Sequence, residues 1–218
     1  KGDYDGAEPL YRRSLEIQEK VLGPEHPDTA ISLKNLGALI LYKGDYDGAE
    51  PLYRRSLEIK EKVLGPEHPG TATSLNNLGG LLSHKGDYDG AEPLYRRSLE
   101  IKEKVLGPEH PDTAKSLNNL GGLFWDKGDY DGAESLYRRS LEIKEKVLGP
   151  EHPSTAISLK NLGALLSLKG DYDGAEPLYR RSLEIEEKVL GPEHPGTATS
   201  LNNLGGLFWD KGDYDGAE

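Results

Sequence analysis

The chain has no cysteine and no methionine, no excess of basic charge, and no long apolar run. Without cysteine it has no disulfide, no thiolate metal ligand and no sulfur nucleophile. That is consistent with a reducing compartment, so a cytoplasmic location is the expectation. Without an initiator methionine, the expectation is that the natural start lies upstream of Lys1. No apolar stretch approaches the roughly 20 residues that span a bilayer. Basic residues number 27 against 38 acidic ones, for a formal net charge of -11. Lys and Arg are never concentrated without Glu beside them, which disfavours nucleic acid as a partner.

Repetition fills the chain instead. The octapeptide KGDYDGAE begins at Lys1, Lys43, Lys85, Lys127, Lys169 and Lys211, a spacing of 42 residues each time. A fixed period in this range is the signature of a repeat architecture. Within a period two helical segments are expected. The first, Pro69 to His84 in one copy, carries Leu75, Leu78 and Leu82 on one stripe. Gly86 suits the left-handed residue that closes it, and Asp87 suits the N-cap of the next helix. The second segment runs from about Tyr88 to Leu106, with Ala91, Leu94, Tyr95, Ser98, Leu99 and Val105 expected inward. Gly107-Pro108 stops it, and His110-Pro111 opens the following helix. Pro93, inside the second segment, removes a backbone hydrogen bond and is expected to kink the helix; one copy has Ser135 there and is expected to run straighter. Neither helix can bury its apolar face alone, so hairpins must stack. The expected fold is an all-α superhelix of antiparallel helix hairpins in a single solenoid over residues 1–218. Its units start at Lys1, Lys43, Lys85, Lys127 and Lys169, with a partial unit over 211–218.

The pattern Leu75-x-x-Leu78-Gly79-x-x-Leu82, followed by Gly86-Asp87-Tyr88, Ala91 and Tyr95, resembles the tetratricopeptide repeat (TPR) along the whole chain. It departs from that family in having Leu75 where Trp is common, Ser98 where Ala is common, and a period longer than the usual, about 34 residues. The longer form, with LNNLG and EKVLGPEHP, is similar to kinesin-light-chain repeats. The resemblance implies a right-handed superhelix whose first helices line a concave groove for extended peptides. It does not imply attachment to a motor.

Differences among the copies point to the same helix. Five positions vary along it: Ile31, Thr73, Lys115, Ile157 and Thr199; Lys34, Asn76, Asn118, Lys160 and Asn202; Ala38, Gly80, Gly122, Ala164 and Gly206; Leu41, Ser83, Trp125, Ser167 and Trp209; Tyr42, His84, Asp126, Leu168 and Asp210. At roughly 100° per residue they share an arc of about 100°. A sixth varied position, Ile40, Leu82, Phe124, Leu166 and Phe208, lies opposite and stays apolar, as core does. Three further positions change, one of them Gln18, Lys60, Lys102, Lys144 and Glu186. The stripe reads either as a partner-binding face or as drift on a solvated face of recent duplicates.

If it binds, Asn76, Asn118 and Asn202 offer donors and acceptors to a ligand main chain, and Lys34, Lys115 and Lys160 favour a carboxylate. Trp125 and Trp209 are either anchors or packing against the adjacent hairpin. Two glycines in one helix cost about 2 kcal/mol relative to alanines. Gly79 is expected to face the partner helix, whereas Gly80 either opens the groove or is merely tolerated. The invariant Asn77 and Asn119 are expected to tie hairpins together.

Catalysis finds no support, because each Asp and Glu recurs on a solvated face or cap. His26, His68, His110, His152 and His194 recur once per hairpin, about 10 Å apart by helix packing distances, too far to share a metal, so a linker role is expected. The unrepeated His84 is either a pH-sensitive contact or a spectator. KGDYDG carries two aspartates that would repel phosphate. No cofactor or metal is expected. The reading is therefore a protein or peptide scaffold. Its alternative is a spacer or head-to-tail assembly, in which residues 1–22 of one molecule dock beside residues 195–210 of another; such contacts do not close on themselves. An artificial consensus array is disfavoured, since designed copies would rarely place Ile, Thr and Lys at one site.

Overall fold

The structure is a computed structural model that describes residues 4–212. Ten α-helices and no strands are present among the described residues. The chain divides into two compact units, Lys1–Pro108 and Glu109–Glu218.

The first unit holds α1 (Tyr4–Val21), α2 (Pro27–Tyr42), α3 (Tyr46–Leu64), α4 (Pro69–His84) and α5 (Tyr88–Leu106). Helices α2 and α3 form one hairpin and α4 and α5 the next. Each second helix also packs on the first helix that follows it, α1 on α2 and α3 on α4. The core is layered accordingly. Leu15 of α1, Ala30 and Leu33 of α2, and Leu52 and Ile59 of α3 make one layer. Leu57 of α3, Ala72 and Leu75 of α4, and Leu94 and Ile101 of α5 repeat it one hairpin later.

The second unit holds α6 (Pro111–Asp126), α7 (Tyr130–Leu148), α8 (Pro153–Leu168), α9 (Tyr172–Leu190) and α10 (Pro195–Lys211). The same neighbours meet: α6 with α7, α8 with α9, α7 with α8, α9 with α10, and α8 with α10. Its core runs continuously from Ala133 and Tyr137 through Leu159, Leu162 and Leu165 to Leu207 and Phe208.

Local chemistry sets the ends. Asp87 caps α5 by accepting from the Gly90 amide, and Gly86 takes φ 80°, which a side chain would resist. Each first helix is capped by the histidine before its proline. Nδ1 of His68 accepts from the Gly70 amide at 2.9 Å, and Nδ1 of His152 from the Ser154 amide at 3.1 Å. The sequence placed these histidines in a link; the side chain in fact satisfies one of the orphan donors at a helix start. Helix α5 continues through Pro93 with the same length, 19 residues, as α7 with Ser135. The Ser135 hydroxyl donates to the Asp131 carbonyl, the acceptor four residues back.

Hairpins close through two contacts. Gly37, Gly79, Gly121 and Gly163 lie against the rings of Tyr53, Tyr95, Tyr137 and Tyr179, and a Cβ on Gly121 would come within 2.8 Å of Tyr137 Cε1. Burial pushes the Tyr179 phenol up to about 12 and the Tyr137 phenol to about 12, the latter helped by Asp126. The serines that replace the family's alanine donate across the hairpin, Ser56 to the Ala30 carbonyl and Ser98 to the Ala72 carbonyl, both at 2.7 Å. A fully buried hydroxyl thus finds its acceptor, which is why serine is accommodated there.

One inward expectation is corrected. Val105 is 48% exposed, and Ile101, which the pattern did not single out, is 5% exposed. Val105 lies on the correct angular stripe, but α5 has 19 residues against 16 in α4, so its last turn runs past its partner.

Candidate functional site

On every first helix the varied stripe reaches solvent while the opposite side is buried. Ile31, Thr73, Lys115, Ile157 and Thr199 are exposed, as are Tyr42, His84, Asp126, Leu168 and Asp210. Lys34, Asn76, Asn118 and Lys160 are half-exposed and Asn202 exposed; Ala38, Gly80, Gly122 and Ala164 are half-exposed and Gly206 exposed. Leu41, Ser83, Trp125 and Ser167 are half-exposed, whereas Trp209 is 68% exposed. Ile40, Leu82, Leu166 and Phe208 are buried, and Phe124 is half-buried.

Aromatic contacts organise part of the stripe. Tyr42 stacks on Tyr4 with centroids 6.1 Å apart, and His84 stacks on Tyr46 at 6.3 Å, so His84 is held rather than free. Trp125 meets Tyr130 edge-on at 6.5 Å and packs against the core. A cleft of about 360 Å³ between α1 and α2 is lined by Tyr4, Ala7, Tyr11, Asn35, Ala38, Leu39 and Tyr42. A Cβ on Gly206 would meet nothing within 4 Å, and one on Gly122 only the Tyr137 hydroxyl at 3.6 Å. Ala38 and Ala164 carry such a Cβ already, so the position admits one, although at Gly80 it would press on the Tyr95 hydroxyl at 3.3 Å.

Several stripe residues are engaged by the chain itself, two of them with a bearing on binding. Lys160 Nζ donates to Glu186 at 2.6 Å, so its charge is met internally and is not available to a ligand carboxylate as the sequence suggested. Asn161 Nδ2 donates to Asn118 Oδ1 at 2.9 Å, which joins α8 to α6; the invariant asparagine ties hairpins together here, and Asn118 keeps its amide donors.

The sequence missed a second set of polar contacts. Lys43, which follows α2, reaches back to Asp5 and Glu8 at 2.8 Å, and Lys85 reaches Asp47 and Glu50 at 2.7 Å. Lys169 makes the same clamp to Asp131 and Glu134 at 2.6 Å. Lys85, then Arg54, hold the Glu50 carboxyl below its ordinary value. At Pro24, Pro66 and Pro150 a crevice lies between the GPEHP link and the following second helix, for example that of about 310 Å³ lined by Pro66, Glu67, Arg97, Glu100, Ile101 and Lys104. Its cations are paired, Lys104 with Glu67 inside the crevice and Arg97 with Glu61 beside it.

Among the described residues no His, Cys, Asp and Glu side chains gather as a metal site, and no helix is long and apolar enough to cross a membrane. The arrangement presents side-chain amide donors and acceptors, aromatic surface and a few cations along helices that the core holds in place.

Antiparallel hairpins of this kind, with small residues at the helix crossing, define a helical-repeat protein. A family model for the tetratricopeptide repeat matches residues 1–62, 35–104, 71–146, 122–185 and 161–218, so the chain belongs to the tetratricopeptide-repeat family. No curated protein matches it. Among solved structures it is similar to BtubC (BKLC) from P. vanneervenii, at 24% identity over 100% of this chain and 87% of the other, with a TM-score of 0.83; that likeness bears on fold alone. It is also similar to a Podosopora anserina putative kinesin light chain with nearly identical TPR-like repeats, at 26% identity over 88% of this chain and 91% of the other, TM-score 0.76. A variant form of that protein gives a TM-score of 0.77 at the same identity. The fold is an all-α repeat of the kinesin-light-chain-like type, and proteins of this repeat family act as protein-interaction scaffolds.

Proposed function

We propose that residues 1–218 act as one solenoid of 42-residue units that binds an extended peptide or partner segment along the first helices, in the cytoplasm and without catalysis of its own. The observation that carries this reading is where the copies differ: on α2, α4, α6, α8 and α10 the varied residues reach solvent, while the second helices keep their exposed Arg and Glu unchanged. Drift alone would loosen both helices. Open space at Gly122 and Gly206 supports close approach of a ligand main chain. The net charge of -11 supports a protein rather than a nucleic-acid partner.

A screen of immobilised peptides tests it. Asn76, Asn118 and Asn202 changed together to Ala should weaken capture at least about tenfold, the cost of one to two lost hydrogen bonds. Arg54, Arg96 and Arg180 changed together to Ala should leave capture intact, with helicity by circular dichroism checked for both. No capture at all, with a mass by light scattering that grows with concentration, would favour the spacer or head-to-tail scaffold instead. That alternative turns on residues 211–218, of which those after Gly212 lie outside the described residues.

A further inference from the structure

The position occupied by Gln18, Lys60, Lys144 and Glu186 is polar in every copy, yet it points into the stack. Each of these side chains sits on a second helix and faces the serine fourteen residues further on, in the next first helix. Ser32 Oγ donates to Gln18 at 2.5 Å, Lys144 Nζ donates to Ser158 Oγ at 2.7 Å, and Ser200 Oγ donates to Glu186 at 2.5 Å. Ser74, at the same register beside Lys60, breaks the pattern. It is 3% exposed, and its hydroxyl is the one buried side-chain oxygen or nitrogen without a partner among the described residues. Lys60 donates to the Gly70 carbonyl at 3.4 Å instead.

The same position has a second neighbour, twenty-six residues earlier on the first helix of its own hairpin. Glu186 meets Lys160 there at 2.6 Å. One carboxylate thus accepts from an ammonium on one side and a hydroxyl on the other, Lys160 and Ser200. At the corresponding place in the first unit stand Lys34, Lys60 and Ser74: two lysines and an unsatisfied hydroxyl, with the carboxylate missing. Neither lysine has an acidic partner among the described residues.

We propose that Lys34, Lys60 and Ser74 form a binding site for a carboxylate supplied by an acidic side chain of the bound partner, occupying the place that Glu186 fills within the chain. The proposal rests on the peptide-binding reading above. Three donors converge on the site, and a carboxylate is acceptor-only, so it satisfies all three at once. It also relieves the mutual repulsion of the lysines. Burial, and then the charge on Lys34, already disfavour the ammonium of Lys60. Lys34 is half-exposed on the varied stripe and Lys60 half-buried below it, so the site opens on the face that carries the copy differences.

Two substitutions copy arrangements the chain already uses, and both should fold. Lys60→Gln recreates the Gln18 and Ser32 contact; Lys60→Glu recreates the Glu186 site with Lys34 and Ser74. The probes are end-blocked hexaglutamate and, as control, end-blocked hexaglutamine, measured by isothermal titration at about 0.15 M salt, where long-range repulsion by the chain's net charge is largely screened. Hexaglutamate should bind the unmodified chain at least tenfold more tightly than it binds Lys60→Gln, and should give no heat with Lys60→Glu, whose melting temperature should rise. Acetate exchanged for chloride at constant ionic strength separates the two sources of a carboxylate. If acetate raises the melting temperature of the unmodified chain alone and hexaglutamate also binds, the partner's carboxylate is supported. If acetate does so and hexaglutamate does not bind, the site takes free anions and the proposal fails. Equal binding of hexaglutamate to all three proteins overturns it as well. Capture of neutral peptides by the stripe would survive either failure, which separates this site from the scaffold reading.

Discussion

Adjacent glycines at 121 and 122 should respond to alanine with opposite sign. Replacing Gly by Ala inside a helix gains about 1 kcal/mol from backbone entropy alone. At Gly122 the new methyl meets only the Tyr137 hydroxyl, at 3.6 Å, an ordinary contact. Gly122→Ala should therefore stabilise by roughly 0.5–1 kcal/mol, or raise the melting temperature by about 2–4 °C per kcal/mol for a chain of this size. At Gly121 the methyl would lie 2.8 Å and 2.9 Å from two ring carbons of Tyr137, which is 4% exposed. Overpacking of that kind costs about 1–3 kcal/mol, enough to cancel or reverse the helix gain. The same clash eases to 3.1 Å at Gly163, 3.3 Å at Gly79 and 3.4 Å at Gly37, so alanine there should be progressively better tolerated. Repeat arrays do not always melt in one step, so the readout should be local. Trp125 rests on Tyr130 in the same hairpin, and its fluorescence in a Trp209→Phe background reports that hairpin. A Gly121→Ala protein as stable as Gly122→Ala would refute the idea that the tyrosine ring sets the helix spacing.

Three further outcomes are expected. Burial, with Lys115 adding to it, pushes Lys144 down to about 8, so from pH 8 towards 10 the unfolded chain binds more protons and this group makes stability rise with pH. Lys144→Gln keeps the serine contact and should be more stable than the parent at pH 7, by at most about 3 kcal/mol from the size of the shift, with the gap narrowing by more than half at pH 9.5; a constant gap in urea midpoints would contradict this. On the acid side, Glu50 is held below 4.5 by Lys85 and then Arg54, so its contribution is present above that value and lost as pH falls below it. Lys85→Met should change stability little at pH 7, since an exposed ion pair is screened by solvent, and should flatten the acid-side loss in thermal melts between pH 5 and 3. His68→Ala should cost about 1 kcal/mol by removing the cap on α4, and His68→Asn should recover most of it, as read by the same melts.

Helix bounds and turns were legible because Gly, Pro and Asp punctuate each copy: α4 and α5 begin and end where the residues said. Gly79 facing the partner helix was legible too, since a double glycine in a helix demands a reason. The inward face of the second helix was read well except at its end, where angular position counts only as far as the partner helix extends. What stayed hidden were polar side chains with internal partners. A Lys or Glu at 60, 144 or 186 reads as solvated, and no pattern within one helix reveals that the next hairpin covers it. Lys160 looked free for the same reason. The histidine caps were missed because histidine is not among the residues usually looked for at a helix start, and its proline neighbour already explained the boundary.

The central claim is that partners lie along the varied stripe of the first helices. Photocrosslinking tests it most directly, with a benzophenone side chain placed in turn at Thr73, Thr199, Arg96 and Glu100 and irradiated with a peptide captured from the screen. Crosslinks confined to Thr73 and Thr199, on α4 and α10, are the result expected here; crosslinks at Arg96 and Glu100 on α5 with none at the other two would contradict it.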